Sequence, residues 1–162
     1  WKPLPRGMNQ KDAGQYNRSE QCSFANGCSL FMSKEIIQKL GILDEKFFLY
    51  YEDVEYSLRA RKKQVTIWYC AEALVYHKVN GATFGNERPD SDYYIARNWL
   101  ICNQKWMSKG RFALFLCYFV FNRVAWIMIW IVRGQLPNIF STIDAIKDYK
   151  RDLFGQYPKN SL

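Results

Sequence analysis

The sequence predicts a small α/β unit followed by apolar and amphipathic helices. Three observations lead there. Between residues 21 and 85, short extended-type stretches are interleaved with short segments of helical period. From Pro89 onward only the helical period is visible. Residues 112–132 then form an apolar run of 21 residues interrupted only by Asn122 and Arg123. With 49% of its 162 residues hydrophobic and 17% aromatic, the chain can bury a core and does not have a disordered composition.

Each element has its own local reason. Residues 1–20 are polar and punctuated by Pro3, Pro5, Gly7 and Gly14, which reads as a loop-like lead-in. The stretch 23–31 is mostly apolar with Asn26-Gly27 inside it, so it reads as a buried strand with a local irregularity. Ser33 is a natural N-cap for a helix over Lys34–Leu40, Glu35 suits its first turn, and Gly41 suits its end. An aromatic loop over 43–51 leads to a second helix over 53–63. Val54 and Leu58 face inward there, and Arg59, Arg61, Lys62 and Lys63 load the C-terminal end in favour of the helix dipole. Val65, Ile67 and Tyr69 alternate with Thr66 and Trp68 as in a strand, 73–76 reads as another extended piece, and Asn80-Gly81 as a turn. Asp90 or Ser91 caps a helix over 93–107 that Gly110 ends, and a final amphipathic helix runs over 138–153, entered after Pro137.

Charge and cysteine usage narrow the class. The net charge is +8, and no acidic residue occurs from Tyr93 to Ile143, where Arg97, Lys105, Lys109, Arg111, Arg123 and Arg133 all fall. Cations mixed with apolar residues in this way favour an anionic membrane surface over nucleic acid. The five cysteines have no C-x-x-C spacing, so neither a zinc site nor a disulfide framework is indicated, and buried reduced thiols are expected. Asn17-Arg18-Ser19 fits the glycosylation triplet, a short pattern that arises often by chance. No signal peptide is recognisable, and a start at Trp1 suits a piece of a longer protein.

The apolar run is long enough to cross a bilayer, but Arg123 at its middle costs roughly 2.5–3.5 kcal/mol on insertion scales. Two interfacial helices broken near Asn122-Arg123 would keep that arginine at the headgroups. A helix buried against a further domain or a partner chain is the remaining alternative.

The chemistry is expected at Tyr50-Tyr51-Glu52-Asp53-Val54-Glu55, with His77, the one histidine, about two dozen residues later. Acidic residues at a helix start are ordinary, because the dipole favours anions there. Here Phe47, Phe48, Tyr50 and Tyr51 wall the acids with apolar surface, and desolvation raises a carboxylate's basicity. Such a group can take a proton from a hydroxyl nucleophile, and a neutral imidazole nearby can ligate a divalent metal.

The stretches Gly27-Cys28-Ser29-Leu30-Phe31-Met32-Ser33-Lys34-Glu35, Leu40-Gly41-Ile42-Leu43-Asp44-Glu45-Lys46-Phe47-Phe48 and Tyr50-Tyr51-Glu52-Asp53-Val54-Glu55-Tyr56-Ser57-Leu58-Arg59-Ala60-Arg61 resemble the C-terminal half of a family 2 glycosyltransferase of the GT-A fold. The likeness is to rhamnosyltransferase-like members that build bacterial surface polysaccharides. It continues through Ala73-Leu74-Val75-Tyr76-His77 and Tyr93-Tyr94-Ile95-Ala96-Arg97-Asn98. It implies an α/β fold that is the C-terminal, acceptor-side part of a GT-A domain over 21–110, followed by a membrane-associating helical tail over 111–162.

The resemblance also implies roles. Asp53 would be the general base of an inverting transfer, and Glu52 its acceptor-contacting neighbour. Asn26 and Gly27 would line the acceptor cleft, although a plain buried strand explains them nearly as well. His77 would ligate Mg²⁺ or Mn²⁺ on the donor diphosphate. Arg97 would either reach a phosphate or serve packing. The implied partners are a nucleotide-sugar donor, a glycan or lipid-linked acceptor and an anionic membrane, with no nucleic acid, at the cytoplasmic face of the inner membrane. One departure matters: the family's nucleotide-binding half, with its Asp-x-Asp, is absent, and Asp90-Ser91-Asp92 reads as a helix cap instead. A chain without that half is expected to be inactive alone. The rival readings are a non-catalytic basic membrane module and, more remotely, a hydrolase with two carboxylates placed across a sugar.

Overall fold

The computed structural model describes residues 6–77 and 89–157. These form two compact units that interleave along the chain. One comprises residues 6–45 and 52–77, and the other residues 46–51 and 89–157.

The first unit is mixed. It contains strand β1 (Glu20–Cys22), a 3-10 turn (Gly27–Ser29), helix α1 (Lys34–Leu40), helix α2 (Glu52–Lys62) and strand β2 (Ile67–Tyr69). β1 and β2 pair antiparallel, with Glu20 opposite Tyr69 and Cys22 opposite Ile67. Leu40, Tyr56 and Ala60 form its core, and Leu30, Met32, Ile36, Val65 and Ile67 pack against them. The Ser33 hydroxyl caps α1 by accepting from the Ile36 amide. Gly41 ends α1 at φ 83°, a left-handed backbone that glycine adopts without penalty. Its carbonyl accepts from the Tyr56 hydroxyl at 2.9 Å, which ties the end of α1 to α2.

Three expectations are corrected here. Residues 23–31 are not a strand. The Asn26 side chain accepts from the Cys28 amide and closes a 3-10 turn, so local side-chain capping displaces the ladder. Residues 73–76 are irregular, whereas β1 arises at the end of the expected loop lead-in. Leu58 is half-buried, and the inner face of α2 comprises Val54, Glu55, Tyr56, Ser57 and Ala60.

The second unit is helical: α3 (Pro89–Trp106), α4 (Lys109–Val132) and α5 (Leu136–Lys150). Asp90 and Asp92 lie in the first turn of α3, where the dipole favours them. Gly110 does not end that helix. The break falls at residues 107–108, and Gly110 sits inside α4. Nor is α4 broken at Asn122-Arg123: it is one helix of 24 residues. Arg123 is buried, its guanidinium stacked over Trp99 at 5.9 Å and Phe119 at 5.7 Å, with the negative charge of Asp92 acting on it. Trp99 of α3 also meets Phe115 and Phe119 edge-on at 5.2 and 5.7 Å.

Aromatic and polar ties hold this unit at its other end. Tyr93 stacks on Tyr157 at 3.9 Å and donates its hydroxyl to Asp148 at 2.7 Å. The Tyr157 hydroxyl donates to Asp144 at 3.1 Å. The Asn80-Gly81 turn lies outside the described residues.

The thiols depart from expectation as well. None of the five forms a disulfide among the described residues, and Cys28, Cys70 and Cys117 are exposed, Cys22 half-buried and Cys102 buried.

Candidate acid pair on helix α2

The candidate site is built on the first two turns of α2. Asp53 and Ser57 are one turn apart and therefore share a face. The Asp53 Oδ2 atom accepts from the Gly27 amide at 3.0 Å, and the Ser57 hydroxyl accepts from the Ala25 amide at 3.2 Å. These two bonds seat the 24–29 loop along α2. Residues 26 apart in sequence thus meet, with Asn26 between the two anchored amides. The approach is close at Gly27, where an added Cβ would stand 3.5 Å from the Asp53 Cβ and 3.7 Å from Glu52 Oε1.

Asp53 is fixed through both oxygens, since Oδ1 accepts from the Val54 amide at 2.8 Å. Glu52 differs. Its Oε2 atom is buried with no hydrogen-bond partner. Burial holds its carboxyl above the ordinary carboxylate range, and the neighbouring Asp53 charge adds to this. The pair therefore combines an anchored carboxylate with a desolvated one.

Glu55, the third acid of the motif, is structural. Its side chain is fully buried and paired with Arg59, one turn on. Arg59 Nη1 also donates to the carbonyls of Leu40 at 3.2 Å and Ile42 at 2.7 Å. The i,i+4 spacing of Glu55 and Arg59 was the available sequence signal for this tie. Ser57, whose hydroxyl seats the loop, had no comparable signal.

Asn26 also borders a cleft of about 520 Å³ in the same unit. Tyr16, Trp68 and Tyr69 supply aromatic surface to it, and Arg6, Gln10 and Asp12 supply polar groups.

His77 lies in the exposed irregular segment after β2. Among the described residues, no three His, Cys, Asp or Glu side chains converge where one cation could be held. The described donor set therefore does not fit a divalent metal by itself.

Arg97 belongs to the helical unit and is 1% exposed. It donates to the Tyr93 hydroxyl at 3.0 Å, to Asn98 Oδ1 at 3.1 Å and to the carbonyls of Lys46 at 3.3 Å and Gly155 at 2.9 Å. Its guanidinium serves packing, and a phosphate contact would require breaking this network. The adjacent Asn98 amide nitrogen reaches the carbonyls of Phe47, Leu49 and Tyr50 at 2.7, 2.8 and 2.8 Å. That anchors the aromatic loop, in which Phe48, Tyr50 and Tyr51 adopt positive φ values of 55°, 64° and 72°. Strained non-glycine backbone persists only when its surroundings over-determine it.

The geometry thus defines a paired-carboxylate site at a helix start, faced by a backbone turn. A comparison with known proteins finds one relative. Over 100 residues it is 26% identical to the low-salt glycan biosynthesis hexosyltransferase Agl10 of Haloferax volcanii. That match covers 60% of this chain and 32% of the relative, so the chain spans about a third of the length of the curated relative it matches. No family model matches the chain, and no solved structure matches it.

Proposed function

We propose that this chain is the acceptor-side part of an inverting glycosyltransferase. It would transfer a sugar from a nucleotide-diphosphate donor to a hydroxyl of a glycan or lipid-linked acceptor in bacterial surface polysaccharide synthesis. One observation carries the reading: the Gly27 amide on Asp53 brings Asn26, Gly27, Glu52 and Asp53 together, in a chain similar to a glycan-biosynthesis hexosyltransferase.

In this reading Asp53 takes the proton of the acceptor hydroxyl as its oxygen attacks the anomeric carbon and the nucleoside diphosphate leaves. The two amides on its carboxylate fix the direction in which its remaining lone pairs point. Asn26 offers a polar contact to the acceptor at the edge of the aromatic cleft. His77 would be one ligand of Mg²⁺ or Mn²⁺, with the others coming from groups beyond the described residues. Donor binding is assigned to a nucleotide-binding part outside this chain, without which the chain is inactive.

A second assignment within the same site is favoured by the unpartnered Oε2 of Glu52 and its raised pKa. There Glu52 accepts the proton and Asp53 orients it. The rate profiles of Asp53→Asn and Glu52→Gln separate the two, because only loss of the base removes the acidic limb of kcat against pH.

We place the protein at the cytoplasmic face of the inner membrane. Helix α4 is long and apolar enough to cross a bilayer, and most of it is not buried. The test of the whole reading is release of nucleoside diphosphate by the full-length protein across a panel of sugar donors, with the product anomer read by NMR. Acceptor-dependent release with inversion supports it. Retention, or no release with any donor, overturns it.

A further inference from the structure

We infer that α4 lies in the plane of an anionic membrane surface rather than crossing it. This rests on the membrane association proposed above and states its geometry. The buried residues of α4 are Phe115, Phe119, Arg123 and Trp130, and Trp99 of α3 lies against the first three. The contacts run antiparallel: Trp99 meets Phe115 and Phe119, while Asp92, two turns earlier on α3, acts on Arg123 further along α4. Helix α3 therefore accompanies α4 from its start to at least Arg123.

The opposite face of α4 carries a continuous apolar stripe at helical spacing. Leu114, Phe121, Met128 and Val132 are 74%, 74%, 58% and 85% exposed, and Cys117 between them is also exposed. Setting α4 across the bilayer would carry α3 into hydrocarbon with the charges of Asp90, Asp92 and Lys105, each of which is costly there. Laying α4 flat puts the stripe in lipid and leaves α3 on the water side. It also explains Arg123 within an otherwise apolar helix: that side chain points toward α3, not toward lipid.

The occupant of the stripe follows from charge. No acidic residue occurs between Asp92 and Asp144, and exposed Lys105, Lys109 and Arg111 flank one end of α4 while exposed Arg133 flanks the other. A helix of 24 residues is about 36 Å long, so lying flat it would hold both cationic ends at headgroup level of one leaflet.

The test uses the chain with Cys22, Cys28 and Cys70 replaced by serine and buried Cys102 retained. A bimane label is attached at native Cys117. For Leu114→Cys, Phe121→Cys and Met128→Cys, Cys117 is also made serine. These four exposed sites span about 21 Å of helix axis. Flotation with equimolar phosphatidylcholine and phosphatidylglycerol vesicles is compared with phosphatidylcholine alone, and depth is read with lipids brominated near to or far from the headgroup. The inference expects flotation that depends on phosphatidylglycerol. It also expects shallow quenching that varies less than about two-fold among the four sites. A profile deep at Phe121 and shallow at Leu114 and Met128 would overturn the in-plane geometry while leaving membrane association standing. Absence of flotation would overturn both. Flotation with all four labels unquenched would show that another face meets the lipid.

Discussion

Replacing Arg59 with methionine tests how the acid pair is held. Methionine keeps the apolar stem of the side chain and removes only its charge and donors. The Glu55 carboxylate, with a side chain 0% exposed, then loses its guanidinium partner, which is itself only 18% exposed. The carbonyls of Leu40 and Ile42 lose their donor at the same time. Removing one partner of a buried pair costs about 3–5 kcal/mol, a large part of the ~5–15 kcal/mol that holds a domain together. Urea denaturation followed by circular dichroism should report that loss near neutral pH. Glu55→Leu combined with Arg59→Met should recover part of the loss, because no buried charge remains. A loss below about 1 kcal/mol, the range of an exposed pair, would refute the argument that this tie anchors α2.

Glu52 gives a pH prediction. Its folded pKa lies above the unfolded value, so the stability its protonated form contributes is fully present below the unfolded value of 4.5. That contribution is lost as pH rises through the folded pKa. Glu52→Gln should flatten the fall in urea midpoint as the pH rises above 4.5, and an unchanged slope would count against the desolvated reading. Gly27→Ala should leave stability within about 0.5 kcal/mol, because the added Cβ makes only ordinary contacts, the nearest at 3.5 Å. Gly27→Leu should lower the transfer rate by crowding the carboxylates, which steady-state kinetics would detect. Asn98→Leu removes the donor that the Leu49 and Tyr50 carbonyls accept from and should cost about 2 kcal/mol by thermal denaturation.

The elements with strong local signals were legible from the residues. Ser33 and Gly41 bounded α1, the acids and bases of α2 marked its two ends, and the 3.6 period disclosed α3 to α5. The 23–31 segment misled because its apolar run hides a turn closed by Asn26, and apolar runs do not distinguish strand from turn. The meeting of Asn26 and Gly27 with Glu52 and Asp53 was expected only through the resemblance, since the bonds that make it are long-range and backbone-donated. The burial of Arg123 was not legible, because a helix periodicity does not say which neighbour waits beneath it. Here the neighbours are Trp99 and Asp92. Arg97 could be weighed both ways until its donors were seen to be engaged.

The central claim is that the carboxylate facing the Gly27 turn performs the proton transfer. The most direct measurement is sugar transfer by the full-length enzyme carrying Asp53→Asn, with donor binding followed in parallel by titration. The account predicts a fall of about 10²–10⁴-fold in kcat with donor affinity unchanged. A transfer rate within a few-fold of the unaltered enzyme would contradict it.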